Sequence, residues 1–192
     1  MRQRATRHLS DGELMVRCLQ RPDDFVAIFD RHSVAVHGYL ARRTGSQVAE
    51  DLFADVWLQA FRSRRGYDPA WPDARGWLYG IARNCLRRHW RELRSPSADS
   101  PLLHDPWPDV DRRLDAASGV ALLRVALDSL AEEDREVLLL AAWEDLTPSE
   151  IAVVLGVPAG TVRWRLHRAR TSLQAVADDT GVPRRIAVNE EA

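Results

Sequence analysis

The chain has 192 residues, of which 45% are hydrophobic, and its 27 basic and 28 acidic residues give a formal net charge of −1. This hydrophobic content is sufficient for packed cores and excludes a disordered chain, and no apolar run approaches the ~20 residues that span a bilayer. The arginine-rich start leads into polar sequence rather than an apolar signal core, so we expect a cytoplasmic protein without membrane insertion.

Residues 10–94 have the pattern of four helices. Their expected ends follow from capping residues and helix breakers. The capping box of Ser10 and Glu13 begins the first helix, and Gly45 ends the second. The third helix is expected from Ser46 to about Arg62, and the fourth, capped by Asp73, from about Ala74 to Arg94.

The third predicted helix has an apolar arc that must be core and an opposite polar arc. The polar arc consists of Asp51, Asp55, Leu58, Gln59 and Arg62. A single leucine among polar side chains is typical of a docking patch, in which an apolar anchor has a polar rim. The alternative is an ordinary solvated face with one stray leucine.

The fourth predicted helix carries aromatic and arginine side chains opposite its apolar residues. The narrow outward arc contains Tyr79, Arg83, Arg87 and Trp90, with Asn84 and Arg88 beside it. Trp77 begins this helix, and Trp71 lies in the turn-rich loop before it. Rings that stack on bases and guanidinium groups that bind phosphates are typical of a surface for single-stranded nucleic acid. The alternative is arginine stacked on surface aromatics for solubility.

The helical pattern fails over residues 95–118, which contain four prolines, five aspartates and two arginines. Proline at this density predicts an extended, flexible and acidic linker. Residues 119–177 then form a second block, with helices expected at about 119–128, 132–143, 148–155 and 158–176, and residues 178–192 are expected to be a tail. Since no strand pattern or repeat occurs, the predicted fold class is all-α, with two small helical domains joined by a flexible linker.

Residues 145–173 have the pattern of a helix-turn-helix. Thr147 and Glu150 form a capping box, Gly156 ends that helix in a left-handed conformation, and Pro158 opens the next helix. The candidate DNA-binding residues of this second helix are Thr161, Arg163, Trp164, Arg165, His167, Arg168 and Arg170. Because no acid occurs between residues 151 and 177, the helix offers the local basic patch that duplex DNA binding requires. The alternative is a solvated helical hairpin.

The sequence contains no Gly-rich phosphate loop, no HExxH and no nucleophile motif. Cys18 and Cys85 have no CxxC spacing and are expected to be buried free thiols. His32 and His37 are five residues apart and point to different helix faces, so we interpret the histidines as structural. We therefore expect no enzyme activity, cofactor, metal or small-molecule substrate.

Both blocks resemble the extracytoplasmic-function (ECF) group of bacterial sigma factors, in that family's order and spacing. The resemblance lies in the segments FVAIFDRH, AEDLFADVWLQAFR and GWLYGIARNCLRR of the first block, and in LDSLAEEDREVLLL and the helix-turn-helix of the second. A surface suited to melted DNA, followed by a module that reads duplex DNA, fits a promoter-opening factor.

The resemblance implies a dissociable RNA polymerase subunit that binds core polymerase and promoter DNA. By analogy, helix 49–62 docks on the polymerase clamp helices, and residues 63–90 recognise and melt the minus-ten element, with the loop before the last helix capturing an extruded base. Unit 145–173 reads the minus-thirty-five element, and the acidic linker threads the polymerase channel, where its charge mimics nucleic acid. An anti-sigma factor is a candidate further partner.

Two tryptophans depart from the family pattern, so its typical promoter sequences are not carried over. Trp71 lies between two prolines, and Trp164 stands where the family usually has a small polar residue. The indole of Trp164 either reaches DNA and alters base preference or is tucked against a neighbouring helix. The alternative function is an ordinary helix-turn-helix regulator that binds an operator without polymerase, but this leaves the aromatic and arginine face of residues 75–91 unexplained.

Overall fold

The structure, a computed structural model, describes residues 8–71, 73–93 and 126–180. The chain divides into two compact units, the first containing residues 8–71 and 73–93 and the second containing residues 126–180. All regular elements in these ranges are helices, which confirms the all-α class with two helical domains. None of these helices is long and apolar enough to cross a membrane.

Residues 8–71 and 73–93 of the first unit form four α-helices whose ends match the local signals in the sequence. Helix α1 spans Asp11–Gln20, α2 Val26–Thr44, α3 Ser46–Ser63 and α4 Arg75–Leu93, with 3₁₀ turns at Pro22–Phe25 and Arg64–Gly66. The predicted capping box of Ser10 and Glu13 begins α1. Gly45, with φ 78°, ends α2 in a conformation that disfavours other residues.

Helices α2, α3 and α4 pack against one another around the core of the first unit. Ile28, Val56 and Leu78 are completely buried there. Burial raises the pKa of the thiols of Cys18 and Cys85, the two free cysteines. Both thiols therefore stay protonated and unreactive at neutral pH, which confirms the sequence prediction of buried free thiols.

The second unit contains α5 over Glu132–Trp143, α6 over Pro148–Leu155 and α7 over Ala159–Thr180. Helix α7 continues past its expected end near residue 176, because no glycine or proline occurs between Gly160 and Gly181 to stop it. Residues 126–128 are helical, but the rest of the helix expected at 119–128, the linker 95–118 and residues 181–192 lie outside the described residues. The domain boundaries at 94 and 118 therefore stay predictions.

Candidate nucleic-acid and polymerase interfaces

The turn between α6 and α7 forms as the sequence predicts. Thr147 and Glu150 make a capping box at the start of α6. Gly156 adopts the left-handed conformation, with φ 68° and ψ 35°, and the Val157 N–H donates to the Ala152 carbonyl at 3.1 Å. These contacts satisfy the end of α6 and reverse the chain, so that α7 packs against both α5 and α6.

Helix α7 buries one face and exposes its basic face. Val162, Leu166 and Ala169 are buried. Of the candidate DNA-binding residues, Thr161 and Arg165 are half-buried, and the exposed ones are Arg163, Trp164, His167, Arg168 and Arg170. Trp164 is 56% exposed, so the alternative that its ring is tucked against a neighbouring helix is wrong.

Arg168 is engaged within the protein. Its Nε donates to Oδ2 of Asp134, a buried residue in the first turn of α5, and its guanidinium lies over the Trp164 ring, 4.2 Å from the centroid. The hydrogen bond to Asp134 raises the pKa of Arg168. The sequence prediction treated Arg168 as a DNA contact and did not anticipate this ion pair, because the partner lies 34 residues away.

The outward placement predicted for Tyr79 is wrong. This residue is only 2% exposed, and its ring centroid lies 4.9 Å from that of Tyr39. Helix α4 packs against both α2 and α3, so its buried arc is wider than that of a helix with one neighbour and includes Tyr79 as well as Leu78. Tyr79 is therefore a core residue.

The other aromatic and polar candidates in and before α4 reach the surface of the first unit. Trp77, Arg83 and Trp90 are half-buried, whereas Trp71, Asn84, Arg87 and Arg88 are exposed. The Trp77 ring packs edge-on against Tyr67, with centroids 5.4 Å apart. We call the set without Tyr79 the tryptophan–arginine face; its members are Trp71, Trp77, Arg83, Asn84, Arg87, Arg88 and Trp90.

The polar arc of α3 is exposed at every predicted position, and we call it the Leu58 face; its members are Asp51, Asp55, Leu58, Gln59 and Arg62. The Leu58 side chain is 48% exposed. Arg88 Nη2 on α4 donates to Asp55 Oδ2 at 2.8 Å, so the Leu58 face and the tryptophan–arginine face meet. Both partners are about half exposed, and such a pair contributes little to stability.

A buried carboxylate at the start of α1, which sequence reasoning did not single out, binds the loop before α4. Asp11 Oδ2 accepts a hydrogen bond from the Ala74 N–H at 2.8 Å and lies 2.6 Å from His32 Nε2. Asp11 Oδ1 accepts from Arg31 Nη1 at 2.6 Å. An acid in the first turn of a helix is ordinary in sequence, so no local signal marked Asp11 as buried.

Asp11, His32 and Asp73 place three possible metal-ligand atoms within 4.8 Å of one another. Their surroundings do not suit a cation, because the Arg31 guanidinium and the Ala74 N–H already occupy the oxygens of Asp11. Burial by itself raises the pKa of Asp11, but the hydrogen bonds from His32 and from the Ala74 N–H outweigh it and lower the pKa. The cluster therefore has the chemistry of an ion-pair network that joins α1, α2 and the loop.

Residues 28–95 match the family described as Sigma-70 region 2, and residues 121–173 match Sigma-70, region 4. The chain is 36% identical to the ECF RNA polymerase sigma factor SigE of Mycolicibacterium smegmatis, over 75% of this chain and 58% of that protein. It is 33% identical to the RNA polymerase sigma factor CarQ of Myxococcus xanthus, over 79% of this chain and 88% of that one.

Solved structures show the same fold. CnrH, in complex with the cytosolic domain of CnrY, is 26% identical with a TM-score of 0.60 and covers 88% of this chain and 97% of its own. The sigma factor RpoE in complex with the anti-sigma factor NepR from Bartonella quintana is 21% identical with a TM-score of 0.54, over 81% of this chain and 97% of its own. With both sigma regions present in their family order, the chain belongs to the ECF RNA polymerase sigma factors.

Proposed function

We propose that this sigma factor binds core RNA polymerase through the Leu58 face, the minus-ten element through the tryptophan–arginine face, and the minus-thirty-five element through α7. The chain itself contributes recognition and no catalytic step, and acts in the cytoplasm with the polymerase. The observation that carries the proposal is the joint exposure of Leu58 on α3 and of an arginine-rich α7 in the two units of one sigma factor.

The Leu58 face has the composition of a small protein-binding patch. Leu58 supplies an apolar side chain that is half exposed although it stands on a helix with a well-packed opposite side. Asp51, Asp55 and Arg62 surround it with charge, which favours a partner of complementary charge. Burial of this leucine in a pocket on the polymerase supplies affinity, and the charged rim selects the orientation.

The tryptophan–arginine face suits unpaired DNA because exposed or half-buried rings and guanidinium groups occur together in α4 and just before it. Trp71 is 36% exposed, so part of its side chain is available for contact with an extruded base. Arg87 and Asn84 are exposed on α4 and can bind phosphates and base edges. Arg88 belongs to this set despite its pairing with Asp55, because an exposed ion pair opens at little cost.

Helix α7 has the features of a recognition helix in the major groove. Its proposed DNA contacts are Thr161, Arg163, Trp164, Arg165, His167 and Arg170. Arg163 and Trp164 lie in its N-terminal half, the part that meets base edges in helix-turn-helix complexes. We assign Arg168 a positioning role, since its contacts to Asp134 and to the Trp164 ring hold that indole at the surface.

An anti-sigma factor is a further proposed partner. Support comes from the shared fold with the Bartonella quintana sigma factor, whose structure was solved together with an anti-sigma factor. A protein that covers the Leu58 face blocks core polymerase, so competition between the two partners for the chain is the expected form of this regulation.

The test is selection and run-off transcription on a randomised DNA library, with the chain alone and with core polymerase. We expect the chain to direct transcription from a two-part motif only in the presence of core polymerase, and to bind duplex DNA weakly alone. Tight binding of a single operator by the chain alone, with no transcripts on addition of core polymerase, contradicts the proposal and supports the regulator alternative.

A further inference from the structure

The N-terminus of α1 lies directly against the loop that precedes α4. We call residues 67–71 with 73 and 74 the α4 loop. Its last residue, Ala74, is completely buried, and its N–H donates to the buried carboxylate of Asp11 at 2.8 Å. A buried N–H needs a partner, and here this partner comes from a helix 63 residues earlier in the chain. The end of the α4 loop is therefore anchored on α1.

The next residue of α1, Gly12, touches the backbone of the same loop. A Cβ atom at this position would lie 2.4 Å from the carbonyl oxygen of Pro69 and 3.1 Å from that of Trp71. Distances this short require movement of the loop backbone, since no flexible side chain is present to yield. Glycine is thus required here by close approach and not by its φ angle.

Two hydrogen bonds within the α4 loop fix its own shape. The ring of Tyr67 is buried, and its hydroxyl donates to the Trp71 carbonyl at 2.6 Å, while the Trp71 N–H donates to the Asp68 carbonyl at 3.1 Å. The α4 loop is therefore held by α1 and by its own hydrogen bonds, and Trp71 is exposed. A loop ordered in advance avoids the entropic cost of ordering when it binds.

We propose that Asp11 and Gly12 are positioning residues for promoter recognition, holding the α4 loop in the shape that receives an unpaired base of the minus-ten element. This inference rests on the proposed function of the tryptophan–arginine face. Both residues precede the segment 28–95 that matches sigma region 2, so the match assigns them no role. Through its contact with the α4 loop, helix α1, which precedes the segment that matches sigma region 2, affects how the minus-ten DNA is opened.

The experiment uses Gly12→Ala, with Gly38→Ala as the matched control. Gly38 lies in α2 of the same unit, and its added Cβ meets only the end of the flexible Arg42 side chain. Each full-length variant is assembled with core polymerase, and the holoenzymes bind two probes: duplex minus-thirty-five DNA, and a forked DNA whose unpaired strand carries the minus-ten sequence selected by the wild type. Affinity for core polymerase and thermal unfolding are measured in parallel.

We expect Gly12→Ala to bind the forked probe about tenfold more weakly, the lower part of the range for loss of one stacked base. The core affinity and duplex binding of Gly12→Ala are expected to match the wild type, and so are the core, duplex and forked-probe affinities of Gly38→Ala. Asp11→Asn, which keeps an acceptor oxygen for the Ala74 N–H, is expected to lose less forked-probe binding than Gly12→Ala.

Trp71→Ala separates failure of this inference from failure of the proposed function. If Trp71→Ala weakens forked-probe binding and Gly12→Ala does not, the α4 loop binds the base without help from α1, and the positioning role is overturned. If neither variant differs from the wild type, the α4 loop does not bind the base and both ideas fail. Loss of core affinity in Gly12→Ala overturns the inference too, because the contact then maintains the whole unit.

Discussion

Among the described residues, each unit has one almost completely buried aspartate in the first turn of a helix, and the two make different contacts. Asp11 begins α1, and both of its oxygens bind donors, one of which is the main-chain N–H of the α4 loop. Asp134 in the first turn of α5 binds Arg168 through Oδ2, and its Oδ1 has no hydrogen-bond partner among the described residues. The carboxylate of Asp11 therefore binds a main-chain N–H of the α4 loop, whereas that of Asp134 binds a single side chain.

The difference indicates how much each carboxylate contributes to the stability of its unit. A buried carboxylate loses several kcal/mol of hydration, and only good donors compensate for the loss. Without Asp11, the buried Ala74 N–H and the buried His32 lose their partner. Without Asp134, the Arg168 side chain, which is 44% exposed, turns to water. We therefore expect loss of Asp11 to reduce stability as well as to release the α4 loop, and loss of Asp134 to act mainly on the orientation of α7 side chains.

The largest expected effect tests this contrast in stability. Asp11→Ala is expected to lower the free energy of unfolding of the first unit by about 3–5 kcal/mol, because it leaves buried donors unpaired. Asp134→Ala is expected to cost the second unit clearly less, because its partner Arg168 is half exposed and regains water. Native-state hydrogen exchange measures the two units separately. Equal losses in the two units contradict the comparison.

The exposed ion pair between Asp55 and Arg88 provides a reference for the stability effects of the two buried carboxylates. Loss of the Asp55–Arg88 pair in Asp55→Ala is expected to change the free energy of unfolding by less than about 1 kcal/mol.

The double variant Leu58→Ala with Asp55→Arg is expected to weaken core polymerase binding by about 1–3 kcal/mol without unfolding the unit. If titration with core polymerase gives the wild-type affinity, the face is only solvated.

The contact between Arg168 and Trp164 allows a finer test in the second unit. Trp164→Ser is expected to change which minus-thirty-five bases are selected from a randomised library. Arg168→Ala is expected to change the same bases more weakly, because it removes the cation–π contact and leaves the indole in place. Arg170→Ala, which removes an exposed arginine beyond the N-terminal half of α7, serves as the control that weakens binding to all sequences and reduces the salt dependence. A uniform loss in Arg168→Ala would identify it as a phosphate contact instead.

The smallest expected effect is a dependence on pH confined to acid conditions. The pKa of Asp11 is lowered from its ordinary value of 3.8, so the unfolded chain binds the proton more readily than the folded chain. The contribution of this charge is complete above the unfolded pKa and is lost as the pH falls through the folded pKa. The stability difference between wild type and Asp11→Asn is expected to shrink as the pH falls below about 4. Growth of this difference on acidification contradicts the assignment.

Local sequence was enough to predict most helix ends. Gly45 and Gly156 end helices through positive φ angles, and the capping box of Thr147 and Glu150 begins α6. Each of these features involves residues within a few positions of one another, so the sequence contains all the partners. The exposure of the Leu58 face was also predicted correctly from the sequence, because the polar arc of α3 faces solvent.

Contacts between residues that are far apart in the chain could not be predicted from the sequence. Tyr79 is buried because α4 has two helical neighbours, whereas a helical wheel assumes one. Asp11 and Asp134 are ordinary first-turn acids in sequence, and only their distant partners make them central to the α4 loop and to α7.

The sequence by itself determined that the chain forms two helical units with the motifs of sigma regions 2 and 4, because capping, periodicity and motif order are local properties. Tertiary structure alone decided which side chains on those helices remain available to DNA or polymerase. Tyr79 is taken into the core, Arg168 is bound to Asp134, and the N-terminus of α1 is brought under the α4 loop. The physical reason is that exposure and hydrogen-bond partners depend on segments tens of residues apart, and packing brings those segments together.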